Sequence, residues 1–188
     1  MKCIISLMIV VFFPFTGVAG PTQSVYVDSE TNIRTWQIKE QGVHLSLTQI
    51  FPEQLQAFYL SRGFTLTQIE PYVTSCVYMA VLRNDHAPGA IHYVSNDWSV
   101  LVKNKPRKLR SIDQWLERLS KVKPKKSALI AFRWAQFPIE QSYEPGGDWN
   151  QGMLSIGLTP GSVFDLIAYW DVNGKAYQTK LQGVHCAQ

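Results

Sequence analysis

The end of the chain carries its clearest structural signal, a β-hairpin. Within residues 162–171 every second residue from Phe164 is apolar, which gives an extended strand one apolar face. Asn173 and Gly174 follow, and this dipeptide supplies the two positive-φ residues of a type I′ turn. A final strand then runs toward Cys186. The two strands must pair antiparallel, so sheet structure is predicted for the C-terminal part of the chain.

Two segments before the hairpin differ in character. Residues 127–137 are almost continuously apolar, which is typical of a strand buried on both faces, and we expect Trp134 to lie in the core. Residues 137–153 are polar and aromatic and contain Gly146 and Gly147, so they predict a long structured loop. In this interpretation the loop connects two sheets.

The rest of the chain is a succession of short strands with helices between them. After a polar lead-in over residues 21–29, alternating or short apolar runs predict strands at residues 31–39, 43–50, 76–83, 90–95 and 98–103. Helical spacing and capping patterns predict helices at residues 52–62, from Thr67 toward Ser75, and at residues 111–120. This order predicts an α+β fold: a β-rich, sandwich-like single domain of antiparallel sheets with two or three short helices.

The N-terminus has the features of an export signal. A positive start, an apolar run over residues 3–13 and small residues up to Gly20 predict a signal peptide over residues 1–19, cleaved near Ala19. A retained N-terminal anchor is the alternative. The run is shorter than the ~20 residues of a membrane-spanning helix. We therefore expect an exported protein, periplasmic or secreted, that does not span the membrane and whose residues 20–188 form one globular domain.

Cleavage at that point leaves two cysteines, Cys76 and Cys186. An even number of cysteines in an exported chain predicts a disulfide. The alternative is a pair of free thiols that bind a metal or form a redox couple, although the C-x-x-C spacing of such couples is absent.

The positive charge is concentrated in one segment. Residues 103–126 contain ten basic and two acidic residues, whereas the remainder of the chain after residue 19 is net negative. This patch predicts binding of a polyanion such as anionic lipid or an acidic polysaccharide, and export argues against nucleic acid. A solvated charged face is the simpler alternative. The candidate patch residues are Lys103, Lys105, Arg107, Lys108, Arg110, Lys123, Lys125 and Lys126.

The predicted loop at residues 137–153 is the main candidate binding site, because aromatic and polar loops often contact partners. Its carboxylates also permit two weaker hypotheses, a Ca²⁺ site without the EF-hand pattern and an acid–base pair of a glycan hydrolase. The candidate residues are Glu140, Tyr143, Glu144, Asp148, Trp149 and Asn150.

A copper or other soft-metal site is a further hypothesis, because the chain contains suitable ligands without a metal-binding spacing. His86 and His92 flank one turn and are the one local pair. The potential ligands are His44, His86, His92, His185, Met79, Met153 and the two cysteines.

No sequence motif specifies a reaction. The common nucleophile, dinucleotide, zinc-protease and phosphate-loop patterns are absent. We therefore favour a non-catalytic binding module without a cofactor, which recognises a protein or envelope partner. A soft-metal-handling protein and a secreted glycan hydrolase are the alternatives, and the oligomeric state stays open.

Intact mass spectrometry of protein purified from the exported fraction, without a reducing agent, tests these expectations. We expect the mass of a chain that begins at Gly20, and a value two hydrogens lower than that of the reduced chain. A mass that retains residues 1–19 would contradict the signal peptide, and two alkylatable thiols would contradict the disulfide.

Overall fold

The computed structural model describes residues 20–188, so the predicted signal peptide and its cleavage near Ala19 lie outside the described residues. It contains two antiparallel sheets and four α-helices. This confirms the β-rich, sandwich-like α+β fold, with four helices in place of the two or three predicted. Among the described residues, no helix is long and apolar enough to cross a membrane.

The strands are shortest in the middle of the chain and longest at its end. In chain order they are β1 Thr22–Val27, β2 Arg34–Glu40, β3 Val43–Gln49, β4 Val77–Asn84, β5 Ile91–Val94, β6 Ser99–Val102, β7 Lys105–Lys108, β8 Glu140–Tyr143, β9 Asp148–Ser155, β10 Val163–Val172 and β11 Lys175–His185. The helices are α1 Pro52–Leu60, α2 Leu66–Val73, α3 Ile112–Ser120 and α4 Lys126–Ala135.

The strands form two sheets. The first sheet has the order β1-β2-β3-β4-β9. The second has the order β7-β6-β10-β5-β8, and β11 pairs with β10. The β10–β11 pair is the hairpin that the sequence predicts, with Asn173 and Gly174 both at positive φ in its turn.

The first sheet is covered on both faces. Alternate β4 residues such as Tyr78 and Ala80 face the second sheet and lie in the core between the two sheets. Val77, one residue away, packs with buried residues of all four helices on the opposite face, where Met153 of β9 joins it. The period of two along β4 therefore places the sheet between two apolar cores.

The α2 helix begins earlier than predicted. Thr65, not Thr67, is the N-cap: its side chain accepts a hydrogen bond from the backbone N–H of Gln68, and the Gln68 side chain accepts one from the backbone N–H of Thr65. Ser111 and Gln114 cap α3 in the same reciprocal way, as the sequence predicts.

The prediction of a strand at residues 127–137 is wrong, because this segment contains α4. Only one side of α4 is buried, at Ala128 and Phe132. Ile130 is 50% exposed and Trp134 is 84% exposed, so Trp134 is not a core residue. The solvent-facing side of α4 carries apolar residues, whereas this side is polar in most surface helices. The sequence therefore lacks the helical alternation of apolar and polar residues.

The prediction of one long loop over residues 137–153 is also wrong. The segment holds β8 and most of β9, which belong to different sheets and are joined by a short turn at Gly146 and Gly147. At Gly152 an added Cβ would lie 2.4 Å from the backbone N of Phe137, so glycine permits the close passage of these chain segments. The predicted lead-in at residues 21–29 likewise contains a strand, β1, whose side chains are all exposed.

The disulfide between Cys76 and Cys186 is present, with a Cα–Cα distance of 5.3 Å. Cys76 immediately precedes β4 of the first sheet and Cys186 immediately follows β11 of the second. The bond therefore joins the two sheets and closes a loop with a sequence separation of 110 residues.

We expect the double change Cys76→Ala/Cys186→Ala to lower the free energy of unfolding by about 4–5 kcal/mol, because the unfolded chain regains the entropy of a long loop. Urea denaturation followed by circular dichroism measures this change. Wild-type protein in excess reductant is the matched control and should approach the variant. A double variant within about 1 kcal/mol of oxidised wild type would contradict the prediction.

Candidate functional site

The second sheet contains a gap on one edge of β10. The β11 strand occupies one edge of β10 along most of its length. Two short strands share the other edge: β6 pairs with residues 165–167 and β5 pairs with residues 171–172. Tyr169 lies between these two pairings. The sheet is therefore split beside Tyr169, and the chain crosses the split in a 3₁₀ turn at Ser95–Asp97.

On this edge the carbonyl of Tyr169 bonds a side chain instead of a strand. The indole Nε1 of Trp98 donates a hydrogen bond to the carbonyl oxygen of Tyr169, at 2.9 Å. Trp98 is fully buried and packs against Tyr93 and Phe137, with ring centroids 5.7 and 5.8 Å away. Because a buried carbonyl without a partner is costly, this bond stabilises the split.

A groove of about 520 Å³ lies at the split, on the solvent side of the sheet. We call it the split-sheet groove. Tyr169 is 37% exposed there. A smaller depression of about 230 Å³ continues from it toward His92 and shares Asp97 and Tyr169. The split-sheet groove is lined by Asp97, Ser99, Pro106, Arg107, Lys108 and Tyr169.

One wall of the groove is cationic and comes from β7. Arg107 and Lys108 are both exposed, and the Lys108 ammonium donates a hydrogen bond to the backbone oxygen of Asn96 at 3.2 Å. Asp97 contributes a carboxylate and Ser99 a hydroxyl to the same groove. The groove therefore offers charged donors for an anion, together with acceptors for hydroxyl groups.

The predicted basic patch occupies two regions of the molecule. Lys103 lies in the turn before β7, and Lys105, Arg107 and Lys108 lie on β7 itself. The guanidinium of Arg110 lies 5.0 Å from the ring centroid of Trp115. The other members lie beyond the C-terminal end of α3, where α4 begins: Lys123, Lys125 and Lys126.

Two candidate residues of the predicted binding loop, Glu140 and Tyr143, lie on β8 and have different environments. Glu140 is exposed, and its Oε1 lies 2.9 Å from Nε2 of His92 on the neighbouring strand. Tyr143 is buried, its hydroxyl is 3.1 Å from that of Tyr93, and burial raises its pKa. Tyr143 is therefore part of the core and not a surface for a ligand.

The other loop candidates lie on β9 or in the turn before it. Glu144 is exposed in this turn, and its backbone N–H donates to the Asp148 carboxylate. Trp149 is 50% exposed on the outer face of the first sheet, and Asn150 accepts a hydrogen bond from the next residue. The structure does not bring these residues together with Tyr143 into one binding surface.

A buried amide holds the turn at the end of β4. The Asn84 side chain donates to the backbone oxygens of Gly89 and Tyr143, at 3.0 and 2.9 Å, and accepts from the N–H of Ala87. Beside it, the guanidinium of Arg83 bonds the Asp85 carboxyl and holds its pKa below the usual value. These contacts position the turns and leave Asp85 already paired.

The potential metal ligands are dispersed or already engaged. Both cysteines are in the disulfide, and Met153 accepts a hydrogen bond from the Tyr59 hydroxyl in the helical core. His185 stacks on Trp36, with centroids 6.1 Å apart. Within residues 20–188 no group of three or more His, Cys, Asp or Glu side chains is arranged to hold a metal ion.

The remaining ligand candidates also have other surroundings. His92 faces Glu140, as described, and Met79 packs beside the helical core. The backbone N–H of His86 donates to the oxygen of Gly42. His44 Nε2 lies 3.2 Å from the Gln37 side-chain oxygen, and partial burial lowers the pKa of His44.

A buried polar network lies beneath the helices. The Gln136 side chain accepts from the Tyr72 hydroxyl and donates to the Tyr59 hydroxyl, each at 2.9 Å. Burial raises the pKa of both tyrosines, which keeps them neutral. Because its polar groups are partnered, this network serves the core.

Sequence reasoning missed four residues of the split-sheet groove: Asp97, Ser99, Pro106 and Tyr169. They come from separate strands and a turn, so only the pairing of β5 and β6 with one edge of β10 brings them together. The basic run at residues 105–108 was the one available signal.

Comparison of the chain with known protein families, curated proteins and solved structures finds no match. We therefore infer the function from the geometry of this molecule.

The change Trp98→Phe tests the hydrogen bond that holds the split. We expect it to lower the free energy of unfolding by about 2–3 kcal/mol, since the Tyr169 carbonyl loses its partner and part of the indole volume is removed.

Trp170→Phe is the matched control. Trp170 is also buried on this sheet, but its Nε1 has no hydrogen-bond partner among the described residues. Its replacement should cost at least 1 kcal/mol less in urea unfolding, and equal losses in the two variants would contradict the role of the Trp98 bond.

Proposed function

We propose that the protein is an exported, non-catalytic binding module, and that its split-sheet groove binds an acidic saccharide of the cell envelope or its surroundings. In this proposal residues 20–188 form the mature domain. The observation that carries it is that Lys108 and the exposed ring of Tyr169 lie on the same face of the sheet, in a groove of about 520 Å³.

The charges in the groove favour an anionic ligand. Lys108 pairs with Ser99 and therefore lies on the same face of the sheet as Tyr169, where its ammonium can meet a carboxylate. Arg107, the preceding residue on the edge strand β7, also lines the groove and adds positive charge from the strand edge. Within the described chain neither residue forms a salt bridge. Their charges are thus available to a ligand.

The other lining groups favour a saccharide over a simple anion. Tyr169 and Pro106 present ring surfaces against which a sugar ring can pack. Asp97 would repel a purely anionic ligand but accepts hydrogen bonds from hydroxyl groups, and Ser99 both donates and accepts. A uronic acid carries a carboxylate and several hydroxyls on one ring, so it matches both sets of groups.

The disulfide supports the exported part of the proposal. Such bonds persist in the periplasm and outside the cell, whereas cytosolic thiols are kept reduced. Removal of this bond in a reducing compartment would release the two sheets at the Cys76–Cys186 junction.

Calorimetric titration with oligomers of galacturonic, glucuronic and mannuronic acid tests the proposal. We expect at least one of these to bind and its methyl-esterified, uncharged form not to bind. Lys108→Ala should weaken binding at least tenfold, because a hydrogen bond to a charged group contributes roughly 1.5–3 kcal/mol, and Arg107→Ala should weaken it less.

Lys105→Ala is the matched control: it removes one charge from the same strand but not from the groove lining. Its affinity should stay within about twofold of wild type. Equal weakening by Lys105→Ala would reduce the effect to general charge. No binding of any uronic acid oligomer would refute the proposal, and cleavage of the bound oligomer would replace it with the hydrolase alternative.

A further inference from the structure

The α4 helix presents an apolar stripe to solvent. This side of the helix carries Ile130 and Trp134, with Lys126 at its start. The three residues are spaced by four and therefore lie along one side of the helix, opposite the buried Phe132. Trp134 is 84% exposed, the highest value among the exposed large apolar residues, and Ile130 is 50% exposed. A tryptophan exposed to this degree leaves much of its apolar surface in water.

The neighbouring α3 helix extends this apolar surface. Leu116 of α3 and Leu129 of α4 are partly buried, and between the helices lies an open cavity of about 350 Å³. Val122, in the connection between the helices, is 46% exposed. We call this surface the α3–α4 face. The residues that line its cavity are Leu116, Ser120, Lys126, Leu129, Ile130, Arg133 and Trp134.

Positive charge lies beside the α3–α4 face. The two acidic residues of α3 are both engaged: Glu117 pairs with Lys121 at 2.9 Å, and Asp113 lies 3.8 Å from Arg133. In residues 20–188, Lys126 in the cavity lining and Lys123 in the connection form no salt bridge, whereas Lys125 lies on the other side of α4, beside Gly63. The face thus combines an apolar centre with unpaired lysines, and a complementary surface is apolar in part and negatively charged.

We propose that the α3–α4 face docks on the surface of an anionic lipid bilayer. Trp134 and Ile130 would enter the boundary between headgroups and acyl chains, and the lysines would contact the lipid phosphates. The protein would lie on the membrane without crossing it. This surface shares no residue with the split-sheet groove, so the proposal does not depend on the saccharide ligand.

Three properties favour a lipid surface over a partner protein. The indole of Trp134 projects from the surface, and tryptophan is the residue that best suits the membrane–water interface. The long lysine stems can lie along apolar surface while their ammonium groups stay in water. The lysines are spread over a connection and a helix start, and a fluid layer of anionic headgroups accommodates such scattered charges without a fixed register.

Flotation with unilamellar vesicles tests the proposal. We expect the protein to partition at least tenfold more strongly onto vesicles of 30% phosphatidylglycerol in phosphatidylcholine than onto pure phosphatidylcholine. Trp134→Ala should weaken this binding at least tenfold. Brominated acyl chains in the same vesicles should quench tryptophan fluorescence in the wild type and lose most of this effect in Trp134→Phe.

Two matched controls separate the face from general effects. Trp149→Ala removes the other exposed tryptophan, on the outer face of the first sheet, and should leave vesicle binding within about twofold of wild type. Lys123→Gln/Lys126→Gln should weaken binding about tenfold or more, whereas Lys39→Gln/Lys105→Gln removes two exposed lysines elsewhere and should have a much smaller effect.

Several results would overturn the proposal. These are no binding to anionic vesicles, vesicle binding that Trp134→Ala leaves unchanged, or equal losses with the two lysine pairs. Light scattering that shows a dimer which Trp134→Ala converts to a monomer would assign the face to a second copy of the chain. Tighter, saturable capture by an acidic amphipathic peptide than by vesicles would assign it to a protein partner.

Discussion

The hydrogen bonds along the second edge of β10 are the constraint on which the split-sheet groove depends. A ten-residue strand with a continuous partner on each edge would leave no opening in the sheet. Here β5 and β6 are each only four residues long, and they pair with opposite ends of that edge. Between them the indole of Trp98 donates to the carbonyl oxygen of Tyr169, so this carbonyl keeps a partner at the opening.

The two sheets are held together by contacts of different kinds at different places. Large side chains such as Trp36 and Phe164 fill the core between the sheets, which supplies most of the stability. The disulfide joins the start of β4 to the end of β11. At the free edge of β1, the Gln23 amide exchanges two hydrogen bonds with the backbone of Gln182, at 2.9 and 2.8 Å. The groove on β10 therefore lies on a sheet whose opposite face is attached to the first sheet by the core, the disulfide and these hydrogen bonds.

The sequence predicts features that depend on residue type and local spacing. It does not predict which faces of the helices and strands are covered by other parts of the chain. The disulfide, the Asn173-Gly174 turn and the strands with one apolar face follow from residue type and period, and the structure contains them. The strands β8 and β9 were predicted as a loop because their outward residues are polar and only Tyr143 signals the core on β8. The split in the sheet depends on strand pairing, which no local pattern encodes.

The wrong prediction of a buried strand at α4 has a physical explanation. A segment that is apolar on all sides predicts burial on all sides, and this expectation fails only if the rest of the chain leaves one side open. The protein core covers Ala128 and Phe132, and it leaves Ile130 and Trp134 in water. Nothing about the fold requires tryptophan at a position 84% exposed, since a polar residue there would cost the helix nothing in packing. The structure therefore contradicts the burial that the sequence pattern predicts for this side of the helix, and in our proposal an anionic lipid surface outside the chain covers it.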